Sequence, residues 1–175
     1  LATCSTLESA LSFSLSAALG IGRFETGAVY LRDPGSEKLS LFLDEGPYRA
    51  ALARVFEEFS RNEDGIILNT GEAVYMSMSD LYRYESRFTA LAFIPIHRYN
   101  EITGWFALAS ENLIEVPVEI RNPLEGVVSQ IGNVISRIEA EEALRDALLE
   151  SEERYMQLSE TSPDAIAILS GNSVV

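Results

Sequence analysis

TALAFIPIHRYNEITGWFALAS, Thr89 to Ser110, reads as two apolar runs about a polar centre at Asn100-Glu101. Each run is the length of a strand, and β-branched and aromatic residues recur in both. Neither run alternates cleanly between apolar and polar. Both are apolar on both faces, as in central strands that are covered on two sides. Pro95 removes one ladder donor from the first run, so that strand is expected to be exposed on one side there, or bulged. The pair therefore predicts a sheet with a layer on each face.

Working outward, Asn122 to Thr161 (NPLEGVVSQIGNVISRIEAEEALRDALLESEERYMQLSET) reads as one long helix. Asn122 can cap it, and Pro123 suits the first helical position. Leu124, Val127, Val128, Ile131, Val134, Ile135 and Ile138 recur at threes and fours, the apolar face of a packed helix. From Glu139 to Glu152, nine of fourteen residues are Glu, Ala or Arg. A thinner seam continues at Leu144, Leu148, Ser151, Tyr155 and Leu158 with heptad spacing. That seam predicts a helix pairing with a second copy of itself, although a solvated surface helix would share the same charges. The step from Ile138 to Leu144 is six residues where a heptad needs seven, a break that alters local winding.

Upstream of the strand pair, Leu7 to Leu19 has an apolar face at helical spacing, closed by Gly20 and Gly22. Thr26–Leu31 and Lys38–Leu43 form a predicted hairpin about Asp33-Pro34-Gly35-Ser36. Tyr48–Ser60 predicts a helix, Gly65–Leu68 a short extended segment and Glu72–Met76 a brief strand. Ser79–Arg87 predicts a turn of helix rich in Tyr. Asp164–Leu169 reads as a strand opening a further domain. The expected fold is α+β. A mostly antiparallel sheet carries the terminal helices on one face and a short helical and loop layer on the other. The expected units are 1–138, a helical linker at 139–161, and the truncated start of another domain at 162–175. With no initiator Met and a final Val174-Val175 inside an expected strand, the sequence is expected to be a piece of a longer protein.

Composition narrows the function. The 175 residues are 47% hydrophobic, which suits one full core plus an appendage. Twenty-seven acids against thirteen basic residues give a net charge of -14, adverse to nucleic acid and to anionic membranes. No apolar run is long enough for membrane insertion. Cys4 is the only cysteine, which excludes an internal disulfide or a cysteine metal cluster and fits a reducing compartment.

The strand pair resembles the strand–hairpin–strand signature of GAF domains: an apolar strand with a Pro-apolar pair, a polar turn, Gly, then a second apolar strand. TGAVYLRDPGSEKLSLFLDEG (Thr26–Gly46) is similar to that family's first hairpin, and EGVVSQIGNVISRIEAEEALR (Glu125–Arg145) to its closing helix. The likeness covers about residues 5 to 140. LRDALLESEERYMQLSETSPDAIAIL (Leu144–Leu169) resembles a linker and the opening of a PAS domain, through its SEERY and SPDAI motifs. Together they resemble the GAF–PAS arrangement of prokaryotic sensor histidine kinases. The resemblance implies a cytoplasmic sensory input domain within a two-component kinase, not itself an enzyme, that holds a small ligand and relays through a dimeric helix. The alternative is a ligand-free structural dimerisation module. A homodimer through the terminal helices is the expected partnership.

His97 is the only histidine and sits near a strand end, unlike a phospho-acceptor on an exposed helix. Alone, it makes a poor metal or haem centre. Bilin-binding relatives use a Cys near a His in mid-domain, which this chain lacks, leaving only upstream Cys4. The sulfoxide reductases of this fold use several cysteines, and the cyclic-nucleotide binders an Asn-Lys signature that the sole lysine, Lys38, does not match. Gly20-Ile21-Gly22 is no phosphate loop. No catalytic residue, metal ligand or cofactor is assigned. The candidate ligand pocket comprises Tyr75, Met78, Tyr82, Phe88, Phe93 and Trp105, polar-tipped or soft apolar groups expected beneath the middle segment. The same residues would also serve simply as core. The candidate signalling helix carries Ile131, Ile135, Ile138, Leu144, Leu148, Tyr155 and Leu158.

Overall fold

The computed structural model describes residues 2–33, 35–36, 38–61, 71–82, 86–99 and 101–161, without the side chains of 2–6, 61 and 159–161. In chain order the elements are α1 (Ala2–Gly22), β1 (Thr26–Arg32), β2 (Leu39–Glu45), α2 (Arg49–Arg61), β3 (Val74–Met76), α3 (Met78–Leu81), β4 (Ala90–Arg98), β5 (Glu101–Ser110) and α4 (Val118–Thr161). The expected segments at Gly65–Leu68 and 162–175 lie outside the described residues, and with them the opening of a PAS domain.

The strands form one antiparallel sheet in the order β2-β1-β5-β4-β3. The two apolar runs are its adjacent β4 and β5. Successive side chains on a strand point to opposite faces, so each run feeds two cores. Val29, Ala90, Ala92, Ile94, Ile96, Phe106 and Leu108 face one core. It is closed by Leu11, Leu15 and Ala18 of α1 and by Leu124, Val128, Ile131 and Ile135 of α4. Ala28, Tyr30, Leu91, Phe93, Trp105, Ala107 and Ala109 face the other, under Leu52, Val55, Phe56 and Phe59 of α2 and Leu81 of α3. The expected α+β layering is observed.

Pro95 sits as its chemistry requires. Among the described residues β3 pairs only with Leu91–Phe93 of β4, so at Pro95 the ladder runs on the β5 side alone. The register then slips between Ile96 and His97.

Three boundaries differ from expectation. α1 runs through Gly20 and Gly22 and is followed by Arg23 at φ 52. The turn before β5 is carried by Tyr99 at φ 54, and β5 already begins at Glu101. The long helix starts at Val118, so Asn122 and Pro123 lie inside it and do not cap it. Its apolar face begins before the proline: Val116, Ile120 and Leu124 are four apart, and all three belong to the core beside α1. The Arg121 Nε–H and Nη2–H donate to the Val116 carbonyl at 3.2 and 3.0 Å, which closes this first turn. Pro123, the sixth residue of the helix, gives up one intrahelical bond, to the Glu119 carbonyl.

The chain divides into two compact units, Leu1–Ser136 and Arg137–Val175. In the second, the described helical residues carry i,i+4 ion pairs, Arg137–Glu141 at 3.9 Å and Arg154–Glu150 at 2.5 Å. Exposed pairs of this kind add only about 0.3–0.5 kcal/mol each.

Candidate functional site

The sheet does not bring the six candidate pocket residues together. Phe88, Phe93 and Trp105 lie in the core beneath α2. Tyr75 lies on the other face, against the core beneath the terminal helices. Its neighbours Val74 and Met76 point the opposite way, an alternation already legible in the sequence. Met78 is exposed, and Tyr82 is 89% exposed.

The face under α2 is filled by rings. Tyr30 stacks on Phe56 with centroids 3.5 Å apart and planes within 3°. Phe93 meets the tilted rings of Phe56 and Phe59 at centroid distances of 6.0 and 5.5 Å. Trp105 is 1% exposed. The Tyr30 hydroxyl is buried with no hydrogen-bond partner. Burial, then the charges of Asp44 and Glu57, push its pKa far up, so it stays neutral. At the rim, Ala51, Arg54, Val55 and Glu58 of α2 face Ser86–Phe88 across a shallow hollow of about 380 Å³. Phe88 is its one member of the candidate pocket. Arg87 pairs with Glu111 and lies 3.9 Å above the Tyr48 ring. The Arg87 hydrogen bond holds the Glu111 carboxyl below its usual range.

The opposite face has a larger groove, about 480 Å³. It starts where β3 stops. Its floor is Ile94, Pro95 and His97 of β4, and its walls are Gly71–Ala73 and the Glu125 and Ser129 side of α4. Each wall is fixed. His97 Nε2–H donates to the Gly71 carbonyl at 2.9 Å, and Gly71 adopts φ 75, a conformation that suits glycine. The Tyr75 hydroxyl donates to Glu125 Oε1 at 2.7 Å. Burial first, and then the Glu125 carboxylate, push the Tyr75 hydroxyl pKa far up, so it remains a donor. Arg121 sits 4.7 Å over the Tyr75 ring.

At the end of the groove the helix touches the strand backbone. A Cβ built on Gly132 would lie 1.8 Å from the His97 carbonyl oxygen, so only glycine permits this crossing. Sequence reasoning passed over Glu125, Ser129 and Gly132 as part of a helix face. A lone glycine within an apolar helical pattern is a sign of close approach. Nothing in the sequence placed Glu125 beside Tyr75.

Of the candidate signalling residues, Ile131 and Ile135 are core and Ile138 is buried. Leu144, Leu148, Tyr155 and Leu158 are exposed. Cys4 lies within α1. Among the described residues, no group of three or more His, Cys, Asp or Glu is placed to hold a metal ion, and no helix is long and apolar enough to cross a membrane.

Solved structures share this arrangement. The GAF domain/HD domain protein from Geobacter sulfurreducens superposes with a TM-score of 0.62 at 12% identity, over 78% of this chain and 96% of that one. The fold is that of GAF domains. The domain of a putative two-component sensor histidine kinase from Sinorhizobium meliloti 1021 gives a TM-score of 0.60 at 17% identity, over 77% and 93%. A type II free methionine-R-sulfoxide reductase from Thermoplasma acidophilum gives 0.55 at 10% identity, over 78% and 96%. No family model and no curated protein matches the sequence. At such identities the likeness is one of GAF fold, which carries regulation in some proteins and chemistry in others.

Proposed function

We propose that this chain is a cytoplasmic sensory or regulatory input domain of a multidomain signalling protein of the sensor histidine kinase kind. Its output is the long helix, acting as a homodimer. The observation that carries the reading is the division within α4. Leu124, Val128, Ile131 and Ile135 are locked into the core, while Leu144, Leu148, Tyr155 and Leu158 are exposed at heptad spacing. Large exposed apolar residues in that pattern suit pairing with a second copy. The six-residue step from Ile138 to Leu144 gives the pair two near-equal packings, the two-state element a relay requires. Exposed Phe13 on α1 offers further apolar surface to the same partner. The domain regulates and does not itself catalyse.

A second reading, a ligand-free dimerisation module, is favoured by one observation. The face under α2, where the candidate pocket was expected, is packed with rings.

Sedimentation of the chain tests the helix pairing. The expected result is a dimer that Leu144→Asp with Leu148→Asp converts to a monomer, with the melting temperature of the folded core unchanged. A monomeric parent chain would end both readings. In the full signalling protein, one-residue insertions or deletions between Arg137 and Leu144 should change output more than any single substitution there. Unchanged output across that series, with the dimer intact, would leave the dimerisation module.

A further inference from the structure

At Gly132 the backbone of α4 meets a single peptide unit of the sheet. The three atoms nearest to where a Gly132 Cβ would lie are the His97 carbonyl oxygen at 1.8 Å, its carbonyl carbon at 3.0 Å and the Arg98 amide nitrogen at 3.9 Å. With its ring, the same residue holds a second segment. His97 Nε2–H donates to the Gly71 carbonyl at 2.9 Å, and a Cβ on Gly71 would lie 3.7 Å from His97 Cε1. Gly71 stands just before β3 in the chain. One residue therefore touches two distant parts of the sequence, by its side chain and by its main chain.

Both sides of this crossing are built to yield. On the strand side, Ile96 pairs with Gly104 and His97 with Ile102, so Thr103 has no partner in the ladder. A bulge of this kind re-aims the residues beyond it. β3 pairs no further than Phe93, so at His97 the ladder runs to β5 alone among the described residues. On the helix side, the Ser136 Oγ–H donates to the Gly132 carbonyl at 2.9 Å. A glycine followed one turn later by a back-bonded serine is a place where helices bend. Leu124, Val128, Ile131 and Ile135 seat the helix in the core. The boundary between the two compact units falls just after Ser136.

We propose that His97 is a coupling residue, which joins the segment before β3 to α4. Its ring takes its position from the Gly71 carbonyl, and its own carbonyl sets how closely Gly132 can approach. Two backbones in contact have no side chain between them to absorb a displacement, and packed interiors transmit strain. A shift of Gly71 therefore reaches the helix through one residue. That the helix then carries the change to an output rests on the regulatory reading, whereas the coupling does not.

Amide hydrogen exchange and NMR shifts of the intact chain test the coupling. His97→Phe keeps a ring and removes the donor, while His97→Gln returns an N–H near the place of Nε2. His97→Phe should speed exchange at Asn133–Ser136 about fivefold, the worth of one neutral hydrogen bond. Leu124–Val128 on the same helix, and Phe106 and Ala107 in β5, should keep their rates. His97→Gln should restore most of the protection. In the other direction, Gly132→Ala should shift the Gly71 amide, and adding His97→Phe should abolish that shift. The His97 pair decides by itself if Gly132→Ala fails to fold. A uniform rise in exchange across the chain, an effect of His97→Phe confined to the residues around Gly71, or a His97→Gln variant no better than His97→Phe would overturn the proposal. So would a Gly71 shift that survives in the double variant. In the full signalling protein, coupling with unchanged output would retain the role of His97 and end the helix relay.

Discussion

The two faces of the sheet are equally apolar in sequence and differently covered in space. β4 sends Ala90, Ala92, Ile94 and Ile96 to one side and Leu91 and Phe93 to the other. β5 sends Phe106 and Leu108 one way and Trp105, Ala107 and Ala109 the other. Beneath α2, aromatic rings interlock, and a hollow of about 380 Å³ lies at the rim. Beneath the terminal helices the covering elements are long rods. A rod packs where its apolar stripe meets the sheet, but it cannot bend into the edge beyond β3. The difference shows that close packing is set by the shape of what covers a strand, not by the strand's own hydrophobicity.

That contrast can be broken at its tightest point. Trp105→Ala should destabilise the domain by about 3–5 kcal/mol in urea unfolding, since a large buried ring leaves a cavity. A loss below about 1 kcal/mol would mean that the face under α2 is loosely packed and able to admit a ligand. Gly132→Ala tests the other face. With a Cβ 1.8 Å from the His97 carbonyl oxygen, helix and strand must separate. The expected cost is about 1–3 kcal/mol, with amide shifts concentrated at His97 and Gly71. An unchanged stability would show that α4 rides freely on β4. The smallest effect is expected at Tyr30→Phe. Its hydroxyl is buried without a partner, so removal should raise stability by about 1 kcal/mol. A clear loss would reveal a hydrogen bond to water at that position.

Much of this fold was legible in the order of residues. The apolar runs of β4 and β5, the proline that ends a ladder, and the apolar stripe of the long helix are local patterns that each follow from one periodicity. The helix start was legible too, in the four-residue spacing of Val116, Ile120 and Leu124, but the Asn122-Pro123 signal is as good a local cap and points elsewhere. Packing of Val116 and Ile120 with the core beside α1 decided between them. The grouping of Tyr75 with Phe93 and Trp105 failed for a simpler reason. Strand alternation sends Tyr75 to the opposite face from Val74 and Met76, whatever their shared aromatic or soft character.

The sequence alone determined the element types, the two-faced sheet and the change of composition along α4, because these rest on backbone periodicity and local chemistry. Only the tertiary structure decided where β3 stops, three residues along β4 from Leu91 to Phe93. It alone set Tyr75 against Glu125, fifty residues apart, and Gly132 against His97. Such contacts depend on how rigid elements meet in space, and a one-dimensional pattern carries no distance between them.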